Sequence, residues 1–245
     1  MSRTVHHRSP REWSRGAFAL AATAVLVVAA TSCADDIDDT MSTEATGWSL
    51  PADAADESTT DLADAATIES AVLTDDEVAG LLWMREEEQL AHDVYVALGD
   101  LWGLRIFENI AASERSHIDA VTTLLDRYDI EDPASGNEPG TFTEPAIQEL
   151  YDELVADGTV SLEAALAVGA LIEELDITDL RSRAAATDVA AIDAVYADLE
   201  RASRNHLRAF TSQLEMRGVE YEPTELDQAA FDAVVSSEME RGRDA

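Results

Sequence analysis

The chain has 245 residues and a formal net charge of −35, from 51 acidic and 16 basic residues. Such acidity repels phosphate backbones and excludes nucleic-acid binding, and a single cysteine excludes an internal disulfide, so packing must hold the fold. Abundant Ala, Leu and Glu with only 6% aromatic residues point to an all-helical protein.

The N-terminus reads as a targeting segment over residues 1–32. Arg3, Arg8, Arg11 and Arg15 precede an apolar run from Ala17 to Ala30. That run is short for a membrane span and right for a signal-peptide core. It ends Ala30-Thr31-Ser32-Cys33, a bacterial lipobox pattern in which the cysteine thiol is lipidated and becomes the mature N-terminus. The expected location is extracytoplasmic, anchored to the cell membrane through lipid on Cys33; ordinary secretion is the alternative. Removing the leader takes away four arginines and one glutamate, leaving −38.

Residues 33–73 read as an acidic disordered tether. No basic residue occurs from Ala34 to Leu73, and aspartates are scattered among Ser, Thr and Ala. Too little apolar surface is present to offset ordering entropy, and like charges extend the segment.

The folded domain is expected over 74–218. Thr74-Asp75-Asp76-Glu77 is a capping box that opens the first long helix, running to about Leu98. Gly99 and Gly103 bracket a short turn. The second long helix runs from about Leu104 to Tyr128. A stretch rich in Pro and Gly follows to about Val160, with a short helix near Pro145–Ala156. The third long helix starts at Ser161 and reaches about Ala185. A turn at Thr187-Asp188 precedes the fourth, which ends near Arg217 with Gly218 as cap. Residues 219–245 form a tail with one more short helix. Two tight hairpins joined by one long crossover, between the second and third long helices, predict a ferritin-like four-helix bundle.

Chemistry concentrates on the inward stripes of these helices. At about 100° per residue, Ile110, Glu114, His117 and Val121 share one side of the second helix. A carboxylate and an imidazole aimed at a core are costly to bury unpaired, and a metal ion offsets that cost for both. The first helix offers Leu81, Arg85, Glu88, His92 and Tyr95; the third offers Leu166, Ala170, Glu173 and Ile177; the fourth offers Leu199, Ser203, His206 and Phe210. The candidate ligands are therefore Glu88, Glu114, His117, Glu173 and His206. Glu174, Glu200 and Glu87 stand in reserve, and His92, Tyr95, Arg85 and Ser203 are expected to support the site. In di-iron bundles two helices give one Glu each and two give Glu-x-x-His. The fourth helix departs from that pattern, since Ser203 stands three residues before His206; only a π-bulge would bring in Glu200. The set suits iron or manganese, as two ions or one. The rival readings are a solvated Glu114/His117 pair, a core His206 bonded to a helical carbonyl, and a wet run of Glu86, Glu87 and Glu88.

The segments Met84–Glu88 through Asp93–Tyr95, Asn109–His117, Gly169–Ile177 and Ser203–Phe210 resemble the DUF2202 family, an uncharacterised branch of the ferritin-like superfamily. The resemblance covers about Thr74–Gly218. The Glu88/Tyr95 spacing is similar to the first helix of rubrerythrins and ferritins, where the glutamate is an iron ligand and a tyrosine lies near it. What the resemblance implies is the bundle fold and metal binding, without a reaction. The functional expectation is a di-iron or di-manganese protein that oxidises Fe(II) or reduces O2 or peroxide, with no catalytic residue assigned. The alternative is a non-catalytic helical module that binds a metal or a partner. The reading allows a homodimer and leaves the electron donor unidentified. A rubredoxin-type centre is excluded, since its cysteines are missing.

Overall fold

The computed structural model describes residues 72–241. The leader, Cys33 and nearly all of the acidic tether lie outside the described residues. Among those described, the chain forms six helices and no strand: α1 (Asp75–Trp102), α2 (Arg105–Arg127), α3 (Pro145–Gly158), α4 (Leu162–Ala184), α5 (Ala190–Glu215) and α6 (Gln228–Val235). The all-α expectation holds. None of these helices is long and apolar enough to cross a membrane.

The capping box forms as the sequence predicts. Thr74 Oγ1 accepts the Glu77 N–H at 3.2 Å, and Glu77 Oε2 accepts the Thr74 N–H at 2.8 Å. The other Glu77 oxygen accepts the Thr187 hydroxyl at 2.7 Å, so the same residue ties the start of α1 to the turn between α4 and α5.

The first turn lies later than its glycines suggest. α1 runs through Gly99 to Trp102, and only Gly103, at φ 65°, breaks it. A Cβ on Gly99 would sit 3.2 Å from Phe107 Cβ. The missing side chain at Gly99 therefore lets α2 fold back closely on α1; it serves packing, not the turn.

α1 packs along α2, and α4 along α5. The two hairpins meet through α1 against α4 and α2 against α5, with α3 laid across α1 and α4. The crossover that carries α3 is pinned by acids of α1. Glu86 accepts the N–H groups of Thr143 and Glu144, and Asp93 accepts that of Gly140.

Two apolar clusters fill the interior. One holds Leu90, Val94, Tyr95, Leu98, Phe107, Ile110, Leu166, Leu207 and Phe210 among others. The other holds Leu81, Met84, Val121, Leu124, Leu125, Leu180, Ile192 and Leu199. On three of the long helices the break between the clusters falls at polar residues: Glu88 on α1, Glu114 and His117 on α2, and Ser203 and His206 on α5; on α4, Glu173 and Asp176 lie just before it, since Ile177 still belongs to the first cluster.

Candidate metal centre

Glu114 is the hub of this polar layer. On α2 it lies one turn before His117, so both project to the same side. Its Oε2 is 2.6 Å from His117 Nδ1 and its Oε1 is 2.9 Å from His206 Nδ1. Glu88 of α1 accepts from His117 Nδ1 at 3.1 Å, and Glu173 of α4 lies 3.4 Å from His206 Nδ1. Two groups result, each with its candidate ligand atoms within 4.8 Å of one another: Glu88, Glu114 and His117, and Glu114, Glu173 and His206. Glu114 belongs to both. The imidazole rings stand 5.8 Å apart, stacked at 23°.

Burial shapes the charges. It pushes Glu88 up to about 7, against the pull of His117. Burial would also raise Glu114, but His117 and His206 outweigh it and hold that carboxylate below its ordinary range. Burial disfavours charge on the two imidazoles, yet the carboxylates beside them win. His117 lies well above its ordinary value, through Glu114 and Glu88, and His206 is raised to about 10, through Glu114 and Glu173. Protons on the imidazoles thus neutralise the carboxylates. They do so incompletely, since Glu88 Oε1, Glu114 Oε1 and His206 Nδ1 are buried without a hydrogen-bond partner. The last two face each other at 2.9 Å without hydrogen-bond geometry. Buried polar atoms are rarely left so. Converging oxygen and imidazole donors, some of them left without partners, are what a first-row divalent cation requires, and the residues present fit such an ion.

The supporting residues divide. The Tyr95 hydroxyl donates to Glu173 Oε1 at 2.5 Å and lies 3.3 Å from the Gly169 carbonyl. Ser203 donates to Asp176 Oδ2. His92 turns instead to Asp93, at 2.8 Å, with its side chain 24% exposed. Arg85 pairs with Asp132 at 3.0 Å and reaches Gln89; its partners are not the clustered carboxylates.

The three reserve glutamates all have other partners. Glu174 is fully buried, but it accepts the Tyr221 hydroxyl and the N–H groups of Thr224, Glu225 and Leu226, so it clasps the C-terminal segment. Glu200 pairs with Arg181 at 2.8 Å and Arg204 at 2.6 Å. α5 runs as an unbroken α-helix past it, with no π-bulge to turn it inward. Glu87 accepts the Trp83 indole N–H at 3.0 Å, and burial together with the nearby Asp179 pushes it well above the usual carboxylate range.

The sequence reading missed Asp176. It is 5% exposed, it lies beside Ser203, and its Oδ1 has no hydrogen-bond partner. Burial raises it well above the ordinary range, with Glu88, Glu87 and Glu173 adding to the shift. A signal was available, because Glu173-x-x-Asp176 repeats the spacing of Glu114-x-x-His117.

Comparison with known proteins places these residues in context. Residues 77–238 match the family described as "Uncharacterized protein domain (DUF2202)". "Uncharacterized protein MJ0754" of Methanocaldococcus jannaschii is 45% identical over 170 residues, which span 69% of this chain and 92% of that protein. The crystal structure of hypothetical protein MJ0754 from Methanococcus jannaschii DSM 2661 is similar with a TM-score of 0.68 at 44% identity, covering 69% of this chain and 97% of that one.

Proposed function

The chain belongs to the DUF2202 family, and we propose that it is a ferritin-like protein whose four long helices form a bundle around a di-iron or di-manganese site. The observation that carries this reading is the pair of ligand groups sharing Glu114, set between two apolar clusters and containing buried polar atoms without partners.

In this reading Glu114, which belongs to both ligand groups, would help to hold both ions, with Glu88 and His117 at one position and Glu173 and His206 at the other. The Tyr95 hydroxyl fixes the orientation of Glu173 through its hydrogen bond. A bound ion would take the place of protons on the imidazoles, so uptake would release protons. The apolar clusters on either side limit water and lower the local dielectric, which strengthens each carboxylate–cation contact. Bound iron or manganese would supply one-electron redox chemistry, and the reaction class is Fe(II) oxidation or the reduction of O2 or peroxide.

Oxygen consumption by the full chain with Fe(II) tests this. Uptake is expected in the wild type and is expected to fall by about 100-fold or more in Glu114→Ala, since that side chain serves both positions; loss of support around a metal already costs 10–100-fold. Equal rates would end the catalytic reading. A second reading has one observation in its favour: Ser203 stands where a di-iron bundle places its second Glu-x-x-His glutamate. A protein that takes up metal without consuming oxygen would be such a non-catalytic binding module.

Glu173 and Glu174 separate by experiment. Glu174→Ala is expected to cost about 2–4 kcal/mol of stability, because it leaves several backbone N–H groups of the 221–226 segment unpaired. Its manganese affinity should not change. Glu173→Gln should do the opposite, weakening manganese binding and keeping apo stability, since Gln keeps the volume and the acceptor for Tyr95 while removing a buried charge. Urea unfolding beside manganese titration reads both.

We also propose an extracytoplasmic location with a lipid anchor on Cys33. Supporting it are the four arginines, the apolar run after them and the small residues that precede the cysteine. Mass spectrometry of the mature N-terminus checks this assignment.

A further inference from the structure

We infer that Asp176 is a sixth ligand, a second carboxylate shared between the two ions on the side of the axis opposite Glu114. The inference rests on the metal-site reading given above. It concerns a residue outside both ligand groups described there.

Position comes first. Asp176 lies one turn after Glu173 on α4, so the two project to the same side. α4 packs on α1 and α5, which leaves it diagonally across from α2, the helix of Glu114. Ser203, the partner of Asp176, lies one turn before His206 on α5. Asp176 therefore reaches the spot next to the missing glutamate. The carboxylate that a Glu-x-x-His pattern would bring from α5 comes from α4 instead, and the small Ser203 side chain leaves room for it.

Satisfaction comes second. Asp176 is 95% buried in the sense that only 5% of its surface is exposed, and its Oδ1 has no hydrogen-bond partner. Glu88 Oε1, on the adjacent helix α1, is in the same condition, at 1% exposure. Ser203 does not resolve the problem. Its hydroxyl carries one proton, and the Leu199 carbonyl, 2.9 Å away, competes for it. Helical Ser commonly bonds the carbonyl four residues back. Two buried carboxylates with unpartnered oxygens, on helices that touch, repel each other unless a cation or a proton stands between them.

A purely structural Asp176 would be a poor choice for this place. Asn would satisfy Ser203 equally well and carry no charge into the interior. The carboxylate is explained if its second oxygen has a cation to meet.

Manganese titration of the full chain, with stoichiometry from calorimetry and low-temperature electron paramagnetic resonance, tests the inference. The wild type is expected to bind two ions and to give the broad spectrum of a coupled manganese pair. Asp176→Asn keeps the shape and the bond to Ser203. It is expected to weaken the second equivalent by about 100-fold or more and to give the six-line signal of isolated ions, with unchanged circular dichroism. Moving the carboxylate across the helix pair, in Asp176→Ser with Ser203→Asp, is expected to restore two ions and the coupled spectrum. Two ions and a coupled spectrum in Asp176→Asn would overturn the inference and leave the metal site standing. So would a wild type that binds one ion. A wild type that binds none would instead remove the metal-site reading itself.

Discussion

Manganese at about a thousand times its Kd is expected to stabilise the folded protein by about 4 kcal/mol for one ion. In a folded domain of this size each kcal/mol moves Tm by about 2–4 °C, so the midpoint should rise by roughly 8–16 °C for one site and further for two. Tight binding is expected because the ion-free site leaves buried polar atoms without partners. Glu88, Glu114 and Glu173 are all buried at the cluster, and the protons on His117 and His206 offset them only in part. A divalent ion would be held at several of these atoms together. Thermal melts followed by circular dichroism, with and without Mn(II), measure the shift. His117→Ala with His206→Ala should abolish it. Mg(II) should give little of it, since that ion dehydrates reluctantly and prefers oxygen donors. An equal shift in the double variant would assign the effect to cations screening a chain of net charge −35 and would remove the site from the explanation.

Gly169→Ala is expected to destabilise the protein by about 2 kcal/mol net. A Cβ there would stand 2.5 Å from Phe210 Cε1, 2.6 Å from Cζ and 2.7 Å from Cδ1. Phe210 is fully buried and packs against Tyr95 and Phe107 at ring-centroid distances of 5.3 and 5.7 Å, so its ring has nowhere to go. Helix propensity favours Ala over Gly by about 1 kcal/mol, while overpacking a filled core costs about 1–3 kcal/mol or more. Three sub-contact distances put this site at the upper end, so overpacking wins. The consequence reaches the carboxylate–histidine cluster, because the Tyr95 hydroxyl donates to Glu173 and lies 3.3 Å from the Gly169 carbonyl. Manganese affinity should weaken along with stability. Adding Phe210→Leu should recover part of both losses by making space. Urea unfolding decides; a Gly169→Ala variant within about 0.5 kcal/mol of wild type, the usual range for inconsequential changes, would mean that the ring yields freely.

The sequence carries the elements and their order well. Periodic apolar positions and a capping box place α1 and α2, and the long Pro- and Gly-containing stretch before α4 marks the crossover. The Glu114-x-x-His117 spacing is legible because α2 has one apolar face and a wet opposite face, so a polar residue on the apolar stripe stands out. The same logic fails on α4. That helix buries residues around most of its circumference, Glu173 and Glu174 among them, because α1, α3 and α5 pack on it and the C-terminal segment meets Glu174. With no exposed face, periodicity loses its reference.

Local spacing along a helix fixes the direction of a side chain about that helix's own axis, and this is what the sequence alone determined: an all-helical chain, hairpins with tight turns, and acidic and imidazole groups turned inward. It left open what each group would meet. Glu173 faces His206 whereas its neighbour Glu174 clasps residues 221–226; Glu87 meets Trp83 and Glu200 meets two arginines; Asp176 lies beside Ser203. Trp83 and Arg204 lie one turn away on the same helix; the other partners come from distant parts of the chain. Only the packing of one helix against another decides them, since the relative rotation and height of two helices depend on the side chains of both at the contact.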